Sequence, residues 1–150
     1  DLMEILNKLV PSSSAMAFRK GDNFGHKQNA IYHADTLYGL AIDLKTFFPS
    51  ITANKVYTLF SNLAIITLQQ DTDESLYAGW KIAAGKCMFP GDIQHHMYEM
   101  DKRLIGLCEK RGIRFSRYAD DMYFSCDDKL LLLKNYPINK KIIEDEGTFY

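Results

Sequence analysis

The chain has 150 residues, the length of one compact domain, and its 47% hydrophobic and 13% aromatic content can bury a core, which excludes a disordered polymer. Its formal net charge of −1 is unlike that of a free-standing nucleic-acid binder, so bulk positive charge is excluded as the means of engaging a partner. No apolar run approaches the ~20 residues needed to cross a bilayer, and three cysteines (Cys87, Cys108 and Cys126), odd in number and without metal-type pairing, give a reduced, cytoplasmic chain as the expectation.

Leu2, Ile5, Leu6 and Leu9 recur at helical spacing, and Pro11 with the three serines after it ends that helix. Residues 15–18 are expected as a short strand, 21–25 as a polar loop and 26–34 as a short helix. Residues 37–44 form an apolar run of strand length with one acid, Asp43, near its carboxyl end. An aromatic turn closed by Pro49 follows, then a helix from about Asn54 carrying Val56, Phe60 and Leu63. Residues 69–74 read as a turn, 75–83 as a helix and 85–90 as a loop. The longest helix is expected over about 92–111. Its stripe of Ile93, Met97, Met100, Leu104 and Leu107 reads as core packing, with Gly112 as its stop. Strands over 113–118 and 122–125 make a hairpin. Asp127 or Asp128 caps a helix containing 130–133, and a separate final helix occupies 138–146. This order gives two helices laid on one face of an antiparallel sheet, an α+β fold.

The stretch Arg117-Tyr-Ala-Asp-Asp-Met-Tyr-Phe-Ser-Cys126 places Asp120 and Asp121 side by side at the hairpin turn. Their repulsion is unfavourable, and a divalent cation is the usual neutralising partner. The plain alternative is an ordinary turn, which favours Asp anyway. Asp43 shifts the balance, because a lone ionised carboxylate in a largely buried strand is costly unless paired or bound to metal. A strand ending in one Asp beside a hairpin carrying two would offer a carboxylate cage for two hard cations, a donor set suited to Mg²⁺. Between residues 101 and 118, Lys102, Arg103, Lys110, Arg111, Arg114 and Arg117 outnumber Asp101 and Glu109. They form either a solvated helix face or a modest patch that tracks a phosphate backbone. His95 and His96 are adjacent and would diverge on a helix, so a zinc site is not expected.

These residues resemble a known family. Asp43-Leu-Lys-Thr-Phe-Phe-Pro-Ser-Ile51 resembles motif A of bacterial reverse transcriptases, and Tyr118-Ala-Asp-Asp121 resembles their motif C. Ala17-Phe-Arg-Lys-Gly21, followed by Asn29-Ala30 and His33, is similar to the segment before motif A in retron and group II intron enzymes. Val56-Tyr-Thr-Leu-Phe60 is similar to the helix after motif A, and Asp101-Lys-Arg-Leu-Ile105 to the helix leading into motif C. The likeness covers nearly all of the chain in order, with the retron type as the nearest flavour.

The resemblance implies an RNA-directed DNA polymerase palm over residues 37–150 with part of the fingers over 1–36. The N-terminal fingers and the C-terminal thumb are expected outside this stretch. It implies two Mg²⁺ ions, with Mn²⁺ as a substitute, bridged by Asp43 and Asp120, with Asp121 as the supporting acid and the Leu44 carbonyl completing the shell. Phe48 falls at the steric gate that selects deoxynucleotides, with a plain core role as its alternative. Gly85 and Lys45 are the other nucleotide-side candidates. Tyr118 is placed near the primer end or in strand packing, and Arg19 and Lys20 on template phosphates or simply on a loop. The implied partners are an RNA template, a DNA or RNA primer and deoxynucleoside triphosphates, with no membrane; oligomeric state is not set by the sequence.

One stretch departs from the family. Motif B usually reads Leu-Pro-Gln-Gly-x-x-x-Ser-Pro, and the aligned residues are Ile82-Ala-Ala-Gly-Lys-Cys-Met-Phe-Pro90. Gly85 and Pro90 are in register, but Ala84 replaces the Gln and Phe89 the Ser, which removes an amide that helps seat the template base. Divergent motif B regions also occur in phage-defence reverse transcriptases of the abortive-infection kind, some of which polymerise without a template. The alternatives are therefore a defence-associated enzyme making untemplated DNA, or a catalytically inactive RNA-binding polymerase-like module. The intact Asp43, Asp120 and Asp121 argue against the second.

Overall fold

The computed structural model describes residues 10–45 and 97–146. Within them lie helix α1 (His26–His33), strand β1 (Tyr38–Asp43), helix α2 (Tyr98–Glu109), strands β2 (Arg114–Tyr118) and β3 (Asp121–Cys126), and helix α3 (Lys129–Asp145). The strands form one antiparallel sheet in the order β1-β3-β2, so the hairpin inserts β3 between its own partner and the upstream strand. The expected helices at 54 and 75–83, the loop at 85–90 and the start of the longest helix lie outside the described residues.

Period-two alternation sorts the side chains onto two faces. Leu40 and Ile42 of β1, Phe115 and Arg117 of β2, and Met122, Phe124 and Cys126 of β3 share one face through the pairs Leu40–Phe124, Ile42–Met122, Phe115–Phe124 and Arg117–Met122. Helices α2 and α3 cover it. Met97, Met100, Leu104 and Cys108 from α2 and Leu132, Ile142 and Ile143 from α3 join Phe115, Met122 and Phe124 in one buried cluster. The Phe115 and Phe124 rings stack 4.9 Å apart across the strands. Burial pushes the Cys108 thiol up to about 12, which makes it an inert core group.

Gly112 ends α2 with φ +66°, and the Ile113 amide reaches back to the Cys108 carbonyl at 2.9 Å, the six-to-one bond that closes a left-handed helix end. Asp128 caps α3 by accepting from the Leu130 and Leu131 amides, at 2.9 and 3.2 Å. Asp127 instead holds the Leu37 amide at the entry to β1, 3.0 Å away.

The two helices expected on one face of the sheet are α2 and α3, and α1 packs across the other face: Asn29 and His33 hydrogen-bond to Ser116 and Ser125, which point away from the apolar cluster. Two expectations differ from the fold. The two helices expected at 130–133 and 138–146 are one, with Pro137 inside it. Pro137 and Leu133, whose carbonyl it leaves without an intrahelical donor, both lie on the solvent side. On the opposite side the Asn135 amide donates to Asn139 at 2.9 Å, bridging that turn of the helix. Residues 15–18 make a single parallel bridge, Ala15 to Arg117, in place of a strand.

Candidate active site

The site sits where β1 ends against the turn of the β2–β3 hairpin. Asp43 and Asp121 are direct partners in the antiparallel register, so both point to the face opposite the apolar cluster. The ladder continues one step further, with the Leu44 amide donating to the Asp120 carbonyl at 3.1 Å. Three acids separated by some 80 positions in the chain are thereby set on adjacent backbone at one end of the sheet.

The electrostatics register that approach. The Asp121 carboxyl is held above the ordinary carboxylate range, first by burial and then by the charges of Asp120 and Asp43, while His26 acts in the opposite sense. A raised carboxylate favours the folded state when protonated, so this repulsion is absent at low pH and appears as pH rises through the folded pKa. The donor set is hard oxygen in an excess of negative charge, which fits Mg²⁺ or Mn²⁺. Among the described residues no three acidic, His or Cys side chains already close on one point as an ion cage. The backbone brings the acids together, and side-chain rotation is left to complete any ligand shell.

The hairpin turn is Ala119-Asp120, and Ala119 has φ +55°, a left-handed conformation that L-residues with a Cβ rarely adopt. Behind it, the wholly buried Arg117 donates from Nη1 to the Ala119 carbonyl at 2.8 Å. Its Nε and Nη2 grip Asp101 at 2.8 Å each, and the Ser12 hydroxyl donates to the same carboxylate at 2.6 Å. Arg117 and Asp101 fell within motif-like segments and a charged stretch, but nothing in the sequence paired them; both are 0% exposed, and Arg117 cannot serve a phosphate-tracking patch. The rest of that stretch is largely engaged too: Arg103 pairs with Asp145 and Glu146, Arg111 with Asn135, and Arg114 with Asp35.

Tyr118 is half-buried and stacks on His26, ring centroids 3.7 Å apart. His26 is thus a site neighbour that the sequence did not mark, since an exposed histidine at a helix start carries no distinguishing pattern. Lys45 is exposed just past the site. Arg19 is away from the acids, donating to the Ser12 and Ala15 carbonyls at 3.1 and 3.3 Å with its guanidinium over Phe24. Lys20 is exposed on the same loop. Phe48 and Gly85 lie outside the described residues.

Beyond the acids, the same face is open. A shallow groove of about 320 Å³ is lined by His33, Gly39, Ala41, Tyr123 and Ser125 among others. His33 is wedged into its wall, with Nδ1 2.6 Å from the Ser125 hydroxyl and Nε2 2.7 Å from that of Ser116. Because the Ser116 proton goes to Asn29, Nε2–H donates to Ser116, and Nδ1 faces the Ser125 hydroxyl, which can donate to it in the neutral ring. Burial and then the Arg114 charge lower the His33 pKa below 6.5. The unfolded chain therefore binds more protons just below pH 6.5, and stability is expected to fall as pH drops through that window. Thermal melts of His33→Gln should show a flatter pH dependence between about pH 6.5 and 5; an unchanged slope would remove His33 as its source.

An antiparallel sheet backed by helices, with three carboxylates gathered at one end of its open face, is compatible with part of a polymerase palm. Comparison with known proteins is specific. The chain is 32% identical over 148 residues to the retron Ec86 reverse transcriptase of Escherichia coli, covering 97% of this chain and 45% of that protein. It is 26% identical over 162 residues to the retron Mx65 reverse transcriptase of Myxococcus xanthus, covering 95% and 38%. It is also 26% identical over 163 residues to the retron Ec83 reverse transcriptase of Escherichia coli, covering 99% and 51%. No protein-family model matches. These matches support a fragment of a retron-type bacterial reverse transcriptase, and the chain spans about half or less of the length of these relatives. Among the described residues no helix is long and apolar enough to cross a membrane.

Proposed function

We propose that this chain forms the catalytic palm, with part of the fingers, of an RNA-directed DNA polymerase that adds deoxynucleotides to a primer 3′ end. The observation that carries the reading is the register pairing of Asp43 with Asp121, extended by the Leu44–Asp120 hydrogen bond. Asp43 and Asp120 would hold two divalent cations, with Asp121 in support and the Leu44 carbonyl as a further oxygen donor. When bound, such a pair lowers the pKa of the attacking hydroxyl and neutralises the leaving pyrophosphate. The chain's own part is to hold the backbone of the three acids together on paired strands, which leaves only side-chain rotation to close the ligand shell. The groove along Gly39, Ala41 and Tyr123, which lies on the same face as the acids, is the surface along which the primer terminus would approach.

Template use is the finer question, because Ala84 and Phe89 replace the motif B residues that seat a template base. Primer extension on homopolymer templates decides it. Product complementary to each template is the expected result, and product of fixed composition whatever the template would favour an untemplated defence enzyme. Phe48 is the proposed sugar gate. Phe48→Ala should raise ribonucleotide incorporation by about 10- to 100-fold, on the order of a pocket-shape discrimination. Unchanged sugar selectivity in single-nucleotide kinetics would return Phe48 to the core.

A further inference from the structure

We propose that Arg117 is a positioning residue for the carboxylate hairpin: locked onto Asp101, its guanidinium holds the Ala119 carbonyl and thereby the places of Asp120 and Asp121. The assignment rests on the polymerase reading above for its consequence in catalysis, and on geometry alone for the clamp itself.

Among the described residues the guanidinium donates two hydrogen bonds to Asp101 and one to the Ala119 carbonyl, each 2.8 Å, in a wholly buried setting. Asp101 is fixed in turn by the Ser12 hydroxyl at 2.6 Å. The backbone of Arg117 is tied on its outer edge, its amide to the Ser14 carbonyl and its carbonyl to the Met16 amide, both 2.8 Å. Side chain and backbone of Arg117 are thus tied to α2, the 12–16 segment and the turn.

The turn needs such a hold. Ala119 occupies a left-handed conformation that costs free energy for any residue with a Cβ, and such outliers persist only when surrounding structure over-determines them. A buried ion pair does not explain itself by stability, since well-packed apolar residues of similar volume often serve as well or better. What an apolar pair cannot do is bind the Ala119 carbonyl. A lysine, with one ammonium in place of a planar fork, cannot reproduce the two parallel bonds to Asp101 from separate nitrogens together with the bond to Ala119.

The test uses the polypeptide that carries this chain, with two variants, Arg117→Lys and the double variant Arg117→Met/Asp101→Leu. The activity-independent readout is hydrogen exchange at the Leu44 amide, which bonds to the Asp120 carbonyl and so reports the seating of the turn. Both variants are expected to fold, with Leu44 exchange accelerated about tenfold or more relative to core amides of α2. Primer extension should lose about 10- to 100-fold in kcat, with KM for the nucleotide within about threefold, as for a small misplacement of reacting groups. Folded variants with parental Leu44 exchange, or with faster exchange but parental kcat, would overturn the positioning role. So would failure of both variants to fold, which would make the pair a requirement of the fold. If the parent protein itself extends no primer, the polymerase reading fails, and the exchange measurement still decides the clamp.

Discussion

Asp120→Asn is expected to reduce primer extension by at least about 10²- to 10³-fold, the scale seen when one preorganised electrostatic partner of a reaction is removed. The substitution is close to isosteric and leaves the backbone carbonyl that accepts from the Leu44 amide, so the hairpin should keep its seat against β1. Without divalent cation the variant should melt no lower than the parent, since the Asp120 charge is one of those holding the Asp121 carboxyl up. Loss of activity with an unchanged melt separates a ligand role from a folding role. Near-normal incorporation by a folded Asp120→Asn protein would remove Asp120 from the cation site.

Arg117→Met alone should be far more damaging to the fold than any change in the surface charges. It strands the Asp101 carboxylate in a wholly buried position with only the Ser12 hydroxyl as a partner among the groups that now hold it. Breaking one half of a buried pair in this way costs about 3–5 kcal/mol. Removing Arg103, which pairs with Asp145 and Glu146 at the exposed surface, should cost far less, because solvent screens such pairs. Urea denaturation of the two variants compares them directly. A similar midpoint for both would mean that Asp101 finds another partner or protonates at little cost.

How much of this was written in the sequence depends on which physical signal each feature leaves. The acids were legible from the strand and turn patterns around Asp43 and the Asp120–Asp121 pair, but not through burial: Asp43 and Asp121 are exposed, and it is their mutual repulsion that calls for a cation. The α2 stripe was legible for the same reason that it packs. Met97, Met100 and Leu104 fall on one side of a 3.6-residue helix. That stripe also held the missed clue: Asp101 lies four residues after Met97 and three before Leu104, a carboxylate on the buried side. Arg117 shares the alternation of Phe115, so it too pointed inward. Read by charge alone, both looked like surface.

Other features leave weaker traces. Helix α1 joins the sheet through polar contacts of Asn29 and His33, so no apolar stripe declared which face it covers. Pro137 reads as a helix breaker. The helix passes through it because the unpaired carbonyl faces solvent and the Asn135–Asn139 bond spans the inner side. The basic stretch ahead of the hairpin was ambiguous by sequence, and its members are distributed among separate carboxylate and amide partners that come from distant positions in the chain.

Mn²⁺ titration followed by paramagnetic broadening of backbone amide signals tests most directly whether Asp43 and the hairpin acids share a bound divalent ion. With a deoxynucleoside triphosphate present, the signals of Asp43, Leu44, Asp120 and Asp121 should broaden together at the lowest Mn²⁺ additions, and the effect should vanish in Asp43→Asn. Broadening that spares these four amides, or that persists unchanged when Asp43 is neutralised, would contradict a shared ion.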